Sequence, residues 1–87
     1  MASEPDLYLE ATLELHASGN PEHVAGWLEA HNLTALPLVT GMLTGGETAA
    51  LRAAFGAPPE PGGTLPVPDE LSGDVATVRV VAPRQLH

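Results

Sequence analysis

Residues 7–15 read Leu-Tyr-Leu-Glu-Ala-Thr-Leu-Glu-Leu, and their alternation decides the fold. Leu7, Leu9, Ala11, Leu13 and Leu15 fall on one side of an extended chain; Tyr8, Glu10, Thr12, Glu14 and His16 fall on the other. Successive side chains of a pleated strand point to opposite faces, so a period of two marks a strand with one face buried and one wet. The buried face needs a cover, and the next stretch supplies it. Asn20-Pro21-Glu22 has the chemistry of a helix start: Asn caps, Pro fits the first helical position and Glu suits the first turn. Val24, Trp27, Leu28 and His31 follow at spacings of three and four, which makes that helix amphipathic. Asn32 tolerates the left-handed conformation that ends many helices.

Farther along, residues 33–44 predict two short strands joined by a tight turn at Thr40-Gly41. Pro37 has no N–H for a ladder, so its strand is expected at a sheet edge. Gly45-Gly46-Glu47 reads as the entry to a second helix with Ala50, Leu51, Ala54 and Phe55 as its apolar stripe, and Gly56 sits where a C-terminal glycine belongs. Residues 57–68 hold five prolines and two glycines and no periodic pattern, so they predict a long loop. Asp69–Gly73 suggests one helical turn. Residues 74–82 predict the last strand, with Ala76, Val78, Val80 and Ala82 on one face and Thr77, Arg79 and Val81 on the other. Residues 1–6 are expected to be a disordered N-terminus and residues 83–87 a free C-terminal tail.

The order of elements is thus β-α-β-β-α-β in one domain spanning residues 1–87. It predicts an α+β, ferredoxin-like βαββαβ fold: a four-stranded antiparallel sheet with two helices on one face. Core positions fall at Leu7, Leu9, Leu13, Leu15, Val78 and Val80 on the sheet and at Val24, Leu28, Leu51 and Phe55 on the helices. Trp27 is expected to be partly buried.

Composition narrows the function. Eleven carboxylates face three arginines, with no lysine, and the formal net charge is −8. Nucleic acids and anionic membranes both recruit Lys and Arg, so neither is an expected partner. No cysteine is present, which removes disulfides and thiol chemistry. With no apolar run near the ~20 residues of a membrane span and no basic, apolar leader, the expected location is cytoplasmic.

Candidate chemistry is weak. His23 and His31 are eight residues apart, about 12 Å along a helix axis, too far to share a metal ion. Glu10 and Glu14 lie about 13 Å apart along a strand, beyond the about 5–10 Å of an acid–base pair. Ser18 and Ser72 sit in glycine-flanked turns with no base placed beside them. Asp69, Glu70 and Asp74 gather around the final turn, where capping is their expected work. No metal, cofactor or catalytic residue is expected, and the chain reads as a non-enzymatic protein.

Three segments carry a family resemblance. Residues 24–33, Val-Ala-Gly-Trp-Leu-Glu-Ala-His-Asn-Leu, are followed by residues 43–56, Leu-Thr-Gly-Gly-Glu-Thr-Ala-Ala-Leu-Arg-Ala-Ala-Phe-Gly, and by residues 65–71, Leu-Pro-Val-Pro-Asp-Glu-Leu. In order and spacing they resemble the prodomains of sedolisin (kumamolisin-like) serine-carboxyl peptidases. The resemblance implies a ferredoxin-like core that assists folding of a peptidase and blocks its active site. Since this sequence carries no peptidase part, a free-standing relative is expected to inhibit or chaperone a subtilisin- or sedolisin-like serine peptidase. The expected binding residues are Tyr8, Glu10, Thr12, Glu14 and Arg79 on the open sheet face, and Arg84, Gln85, Leu86 and His87 on a tail lying in the substrate cleft. The competing expectation, from a different class, is a structural or adaptor subunit that docks a partner, or forms a homo-oligomer, through the same face.

Overall fold

In β1 (Tyr8–Leu15) the alternation is realised: Leu9, Ala11 and Leu13 are buried while Tyr8, Glu10 and Glu14 are exposed. The computed structural model describes residues 8–82. After β1 come α1 (Pro21–Ala30), β2 (Leu36–Pro37), β3 (Gly41–Glu47), α2 (Thr48–Phe55), β4 (Thr64–Leu65), a single 3₁₀ turn (Asp69–Leu71) and β5 (Val75–Val80). All strand pairings are antiparallel, and the order is β2-β3-β1-β5-β4.

The sheet therefore has five strands where four were expected. The addition comes from the Pro/Gly-rich segment 57–68, expected to be loop throughout. Within it Thr64 and Leu65 pair with Arg79 and Val78. Gly62, at φ 79°, lets the chain turn into that pairing, and its N–H reaches the Val80 carbonyl at 3.1 Å. Two residues between prolines are too few to show a period, yet Leu65 is buried.

Helix α1 begins and ends as its sequence dictates. The Asn20 side chain accepts from the N–H groups of Glu22 (2.9 Å) and His23 (3.4 Å), with Pro21 in the first turn. Such a cap is worth about 1 kcal/mol. At the other end Asn32 has φ 63°, the Leu33 N–H reaches back to the Leu28 carbonyl and the Asn32 N–H to that of Glu29. This pair of bonds is the Schellman ending, sealed by the buried side chains of Leu28 and Leu33. Helix α2 stops at Gly56, at φ 76°.

Gly45 and Gly46, expected to open the second helix, instead lie inside β3, and the helix starts at Thr48. Their missing side chains are filled from outside the strand. A Cβ on Gly46 would stand 2.5 Å from Leu33 Cδ2, and one on Gly45 would meet the Tyr8 ring. A second correction concerns β5. The β1–β5 register shifts between Glu14 and Leu15, so that Glu14 faces Thr77 and Leu15 faces Val75. Ala76 is the extra residue of a bulge. It is exposed, and Val75 is buried in its place. Ala82, also expected on the core side, is exposed.

Both helices and one face of the sheet share a single core. Val24, Trp27 and Leu28 of α1 and Leu51 and Phe55 of α2 join Leu9, Ala11, Leu13, Met42, Val75, Val78 and Val80 of the sheet. Trp27 and Phe55 stack obliquely with ring centroids 5.5 Å apart, joining the helices directly. Leu65, between the prolines, and Leu71, on the 3₁₀ turn, complete the cluster. The opposite face of the sheet has no helix over it among the described residues.

Candidate functional site: the open face of the sheet

Residues that are cross-strand partners share a face, so the register writes out the open surface. One row crosses all five strands: Leu36, Leu43, Thr12, Arg79 and Thr64. Beside it lies a row made of Leu38, Gly41, Glu14 and Thr77. On the other side Gly45 pairs with Glu10, whose carbonyl accepts from the Val81 N–H at 2.8 Å. Tyr8 closes the surface at the start of β1.

Of the expected binding residues, Tyr8, Glu10, Thr12, Glu14 and Arg79 stand together on this face. Arg84, Gln85, Leu86 and His87 lie outside the described residues, as do Leu7 and residues 1–6. Sequence reasoning missed Leu36, Leu38, Leu43 and Thr64. Leu36 and Leu38 carried a usable signal, since they alternate around Pro37. Thr64 carried none.

The surface is more apolar than its strand patterns promised. Among the described residues the exposed large hydrophobics are Tyr8, Leu36, Leu38, Val39 and Val81. Four of them lie on the open face, and Val39, fully exposed, stands at the tip of the β2–β3 hairpin. None lies on the outer side of the helices. Glu10 and Glu14 are acidic neighbours of this apolar set, and Arg79 stands between their rows. Arg79 makes no ion pair among the described residues. Among the described residues the Glu14 side chain has one hydrogen bond, a long one of 3.4 Å donated by the Thr77 hydroxyl to Oε1.

A trough of about 480 Å³ runs across the strands at the Glu14 end of this face. Thr12, Glu14 and Thr77 line its middle, Leu38 and Thr40 its β2 side, and Thr64 and Arg79 its β4 side. A second, more apolar hollow lined by Leu15, Pro21, Leu38 and Val39 adjoins it around the hairpin tip.

Asp74 and Glu70 hold the fold elsewhere than at the final turn, which has no side-chain cap bond, contrary to the capping expected of them. Asp74 accepts from the Asn20 N–H (2.9 Å) through Oδ1 and from His23 Nδ1 (2.6 Å) through Oδ2, so it ties the start of α1 to the start of β5. The His23 hydrogen bond and then the Asn20 amide hold its carboxyl below the ordinary carboxylate range. Glu70 accepts from Trp27 Nε1 at 2.7 Å, and His31 donates from Nδ1 to the Trp27 carbonyl while its ring stacks 4.1 Å from the indole. Trp27 is 9% exposed, more deeply set than expected. Among the described residues no three His, Asp or Glu side chains converge as a metal-binding set, and no helix is long and apolar enough to cross a membrane. Comparison with protein-family models, with curated proteins and with solved structures finds no match to this chain.

Proposed function

We propose that this domain is a non-enzymatic binding module that docks another protein on the open face of its sheet, in the manner of a peptidase prodomain. The observation that carries the reading is the one-sided distribution of exposed large hydrophobics, which among the described residues all lie on that face or at its hairpin tip. Solvent-facing sheet surfaces are ordinarily polar, and a contiguous apolar set rimmed by charge marks an interaction site. Because β2 and β4 are only two residues long, the five strands, at about 3.4 Å per residue and about 4.8 Å between strands, offer a footprint of about 400 Å². That is about half of the about 800 Å² per partner of a standard interface, so the hairpin tip and the loops beside the sheet have to share in the contact.

The strand order β2-β3-β1-β5 and the common core of the two helices support a ferredoxin-like reading of the fold, with β4 as an addition at its edge. Together with the three prodomain-like segments, this favours a subtilisin- or sedolisin-like serine peptidase as the partner, inhibited or helped to fold. The adaptor reading uses the same face and differs only in what sits on it.

The test is a titration of purified sedolisin-type and subtilisin-type peptidases with the domain, following complex formation and residual activity. The expected result is saturable binding to one class, weakened about tenfold or more by Leu36→Asp or Tyr8→Ala, a loss typical of an interface anchor. Absence of binding to both classes overturns the peptidase reading. Binding that ignores Leu36→Asp and Tyr8→Ala overturns the assignment of the face. Deleting residues 83–87 measures what the tail adds.

A further inference from the structure

The trough at the Glu14 end of the open face has a chemistry distinct from the apolar surface around it. Thr12, Thr64 and Thr77 place neutral hydroxyls along it, Leu38 forms an apolar wall, and among the described residues the exposed Glu14 carboxylate has a single long hydrogen bond. The chain carries −8 overall and draws cations toward any concave surface. Among the described residues Arg79 is the one positive charge lining the trough, on its β4 side, and Glu14 on β1 stands between it and Leu38. The part of the trough between Leu38 and Glu14, on the far side of Glu14 from Arg79, therefore favours a cation.

We infer that the trough is a socket for one lysine or arginine side chain presented from an otherwise apolar patch of the partner, its stem on Leu38 and its charged head on Glu14 with the threonine hydroxyls around it. This deepens the proposed function, since it rests on the open face being the docking surface. Long basic side chains suit such a site because the methylene stem covers apolar surface while the head keeps polar company. Charge-assisted bonds to a carboxylate are shorter and stronger than neutral ones, and an interface with one such pair inside an apolar ring gains orientation as well as affinity. The partner surface then reads as complementary in two parts: aliphatic or aromatic groups over Leu36, Leu43 and Tyr8, and one basic residue displaced toward the Glu14 end of β1.

The experiment uses the whole chain, ¹⁵N-labelled, titrated with acetyl-Leu-Arg-Leu-amide and with its citrulline counterpart, which keeps the shape and loses the charge. The expected result is a saturable shift of the Thr12, Glu14, Gly41 and Thr77 amides with the arginine peptide. Citrulline in the peptide, or Glu14→Gln in the protein, should weaken the response about tenfold, the loss of one charge-assisted bond. Glu10→Gln, which removes the same charge from the same face outside the trough, should leave it within about twofold, as expected where a bond rather than the overall field is lost. Equal weakening by Glu14→Gln and Glu10→Gln, equal response to the two peptides, or shifts centred on the helices would each overturn the inference. A peptidase that binds with wild-type affinity to Glu14→Gln sinks the socket and spares the proposed function. Peptide binding at the trough with no peptidase bound does the reverse.

Discussion

The ring of Tyr8 occupies the place where Gly45 would carry a side chain. A Cβ built on Gly45 lies 2.6 Å from the Tyr8 hydroxyl oxygen and 3.0 Å from two ring carbons. The two residues are diagonal neighbours on the open face, since Tyr8 pairs with Glu47 and Gly45 with Glu10. An aromatic lying over a strand glycine shields exposed backbone and restores packing that glycine gives up. It also fixes the orientation of the largest apolar group on the proposed docking surface.

The displaced group at Gly45 is the far end of a movable side chain, so Gly45→Ala should cost little stability. The expected change is within about 1 kcal/mol, with the strand propensity of alanine offsetting the lost contact. Its effect should fall on Tyr8: in the wild type the ring should move the Hα signals of Gly45 upfield, and Tyr8→Ala should abolish that displacement. Gly41→Ala provides the contrast. There the new Cβ collides with the Leu13 carbonyl oxygen, a backbone atom of the central strand. A loss of about 2 kcal/mol or more is expected, because the strand itself must shift. Urea midpoints of the two variants, measured side by side, check the prediction; equal losses would contradict it.

The Trp27–Glu70 bond should be measurable as stability. Glu70→Ala leaves the indole N–H without its 2.7 Å partner at a site that is part-buried, and a loss of about 1–2 kcal/mol is expected. Glu70→Gln retains an acceptor oxygen and should recover most of it. Trp27 is the sole tryptophan, so its fluorescence reports both the unfolding midpoint and the changed surroundings of the ring. A Glu70→Ala variant as stable as wild type would show that water replaces the carboxylate without cost.

Asp74 makes the fold sensitive to acid. Its carboxyl is held below the ordinary value by the His23 bond and the Asn20 N–H, so the folded chain binds this proton less readily than the unfolded chain does. Stability from Asp74 is thus fully present above the unfolded value of roughly 3.9 and is lost as the pH falls through the lower folded value. Asp74→Asn should be less stable than wild type at pH 6, and the gap should begin to narrow below about pH 4 and go on narrowing as the pH falls through the lower folded value. Urea midpoints of both proteins between pH 6 and pH 2.5 test this. A gap that stays constant across that range would place the stabilising effect elsewhere.

What the sequence made legible was local chemistry: the Asn20 cap, the left-handed Asn32, the Gly56 stop and the alternation of β1 each needed only neighbouring residues. What it hid depended on residues distant in the chain. Gly45 and Gly46 looked like a turn because their strand character comes from Tyr8 and Leu33, which fill the space beside them. Thr64–Leu65 became a strand because β5 offered an edge. Ala76 and Val75 exchanged places because a bulge against Leu15 reset the register, and nothing in an alternating run announces a bulge. For the candidate site the same rule holds. Tyr8, Glu10, Thr12, Glu14 and Arg79 followed from periodicity within two strands, whereas the trough needed β2 and β4 beside them.

Pro37 illustrates how an edge can be both apolar and quiet. Leu38 donates to the Gly41 carbonyl at 2.9 Å and Thr34 to that of Gly45, so the even-numbered residues of this segment turn their backbone groups inward to β3. Alternation then turns the backbone of Pro37 outward, where a strand from a second molecule would seek an N–H and find none. Leu36 and Leu38, both exposed, are left free for side-chain docking without inviting edge-to-edge pairing. Pro37→Val supplies the missing donor and a β-branched side chain while keeping the surface apolar. The variant should self-associate at concentrations where the wild type does not, by at least about a tenfold shift in dimer dissociation constant, equivalent to roughly 1.4 kcal/mol. Sedimentation velocity over a concentration series measures that shift directly. If Pro37→Val and wild type show the same association, the outward-facing proline is not what keeps this edge apart from its copies, and exposed Leu36 and Leu38 must be tolerated for another reason.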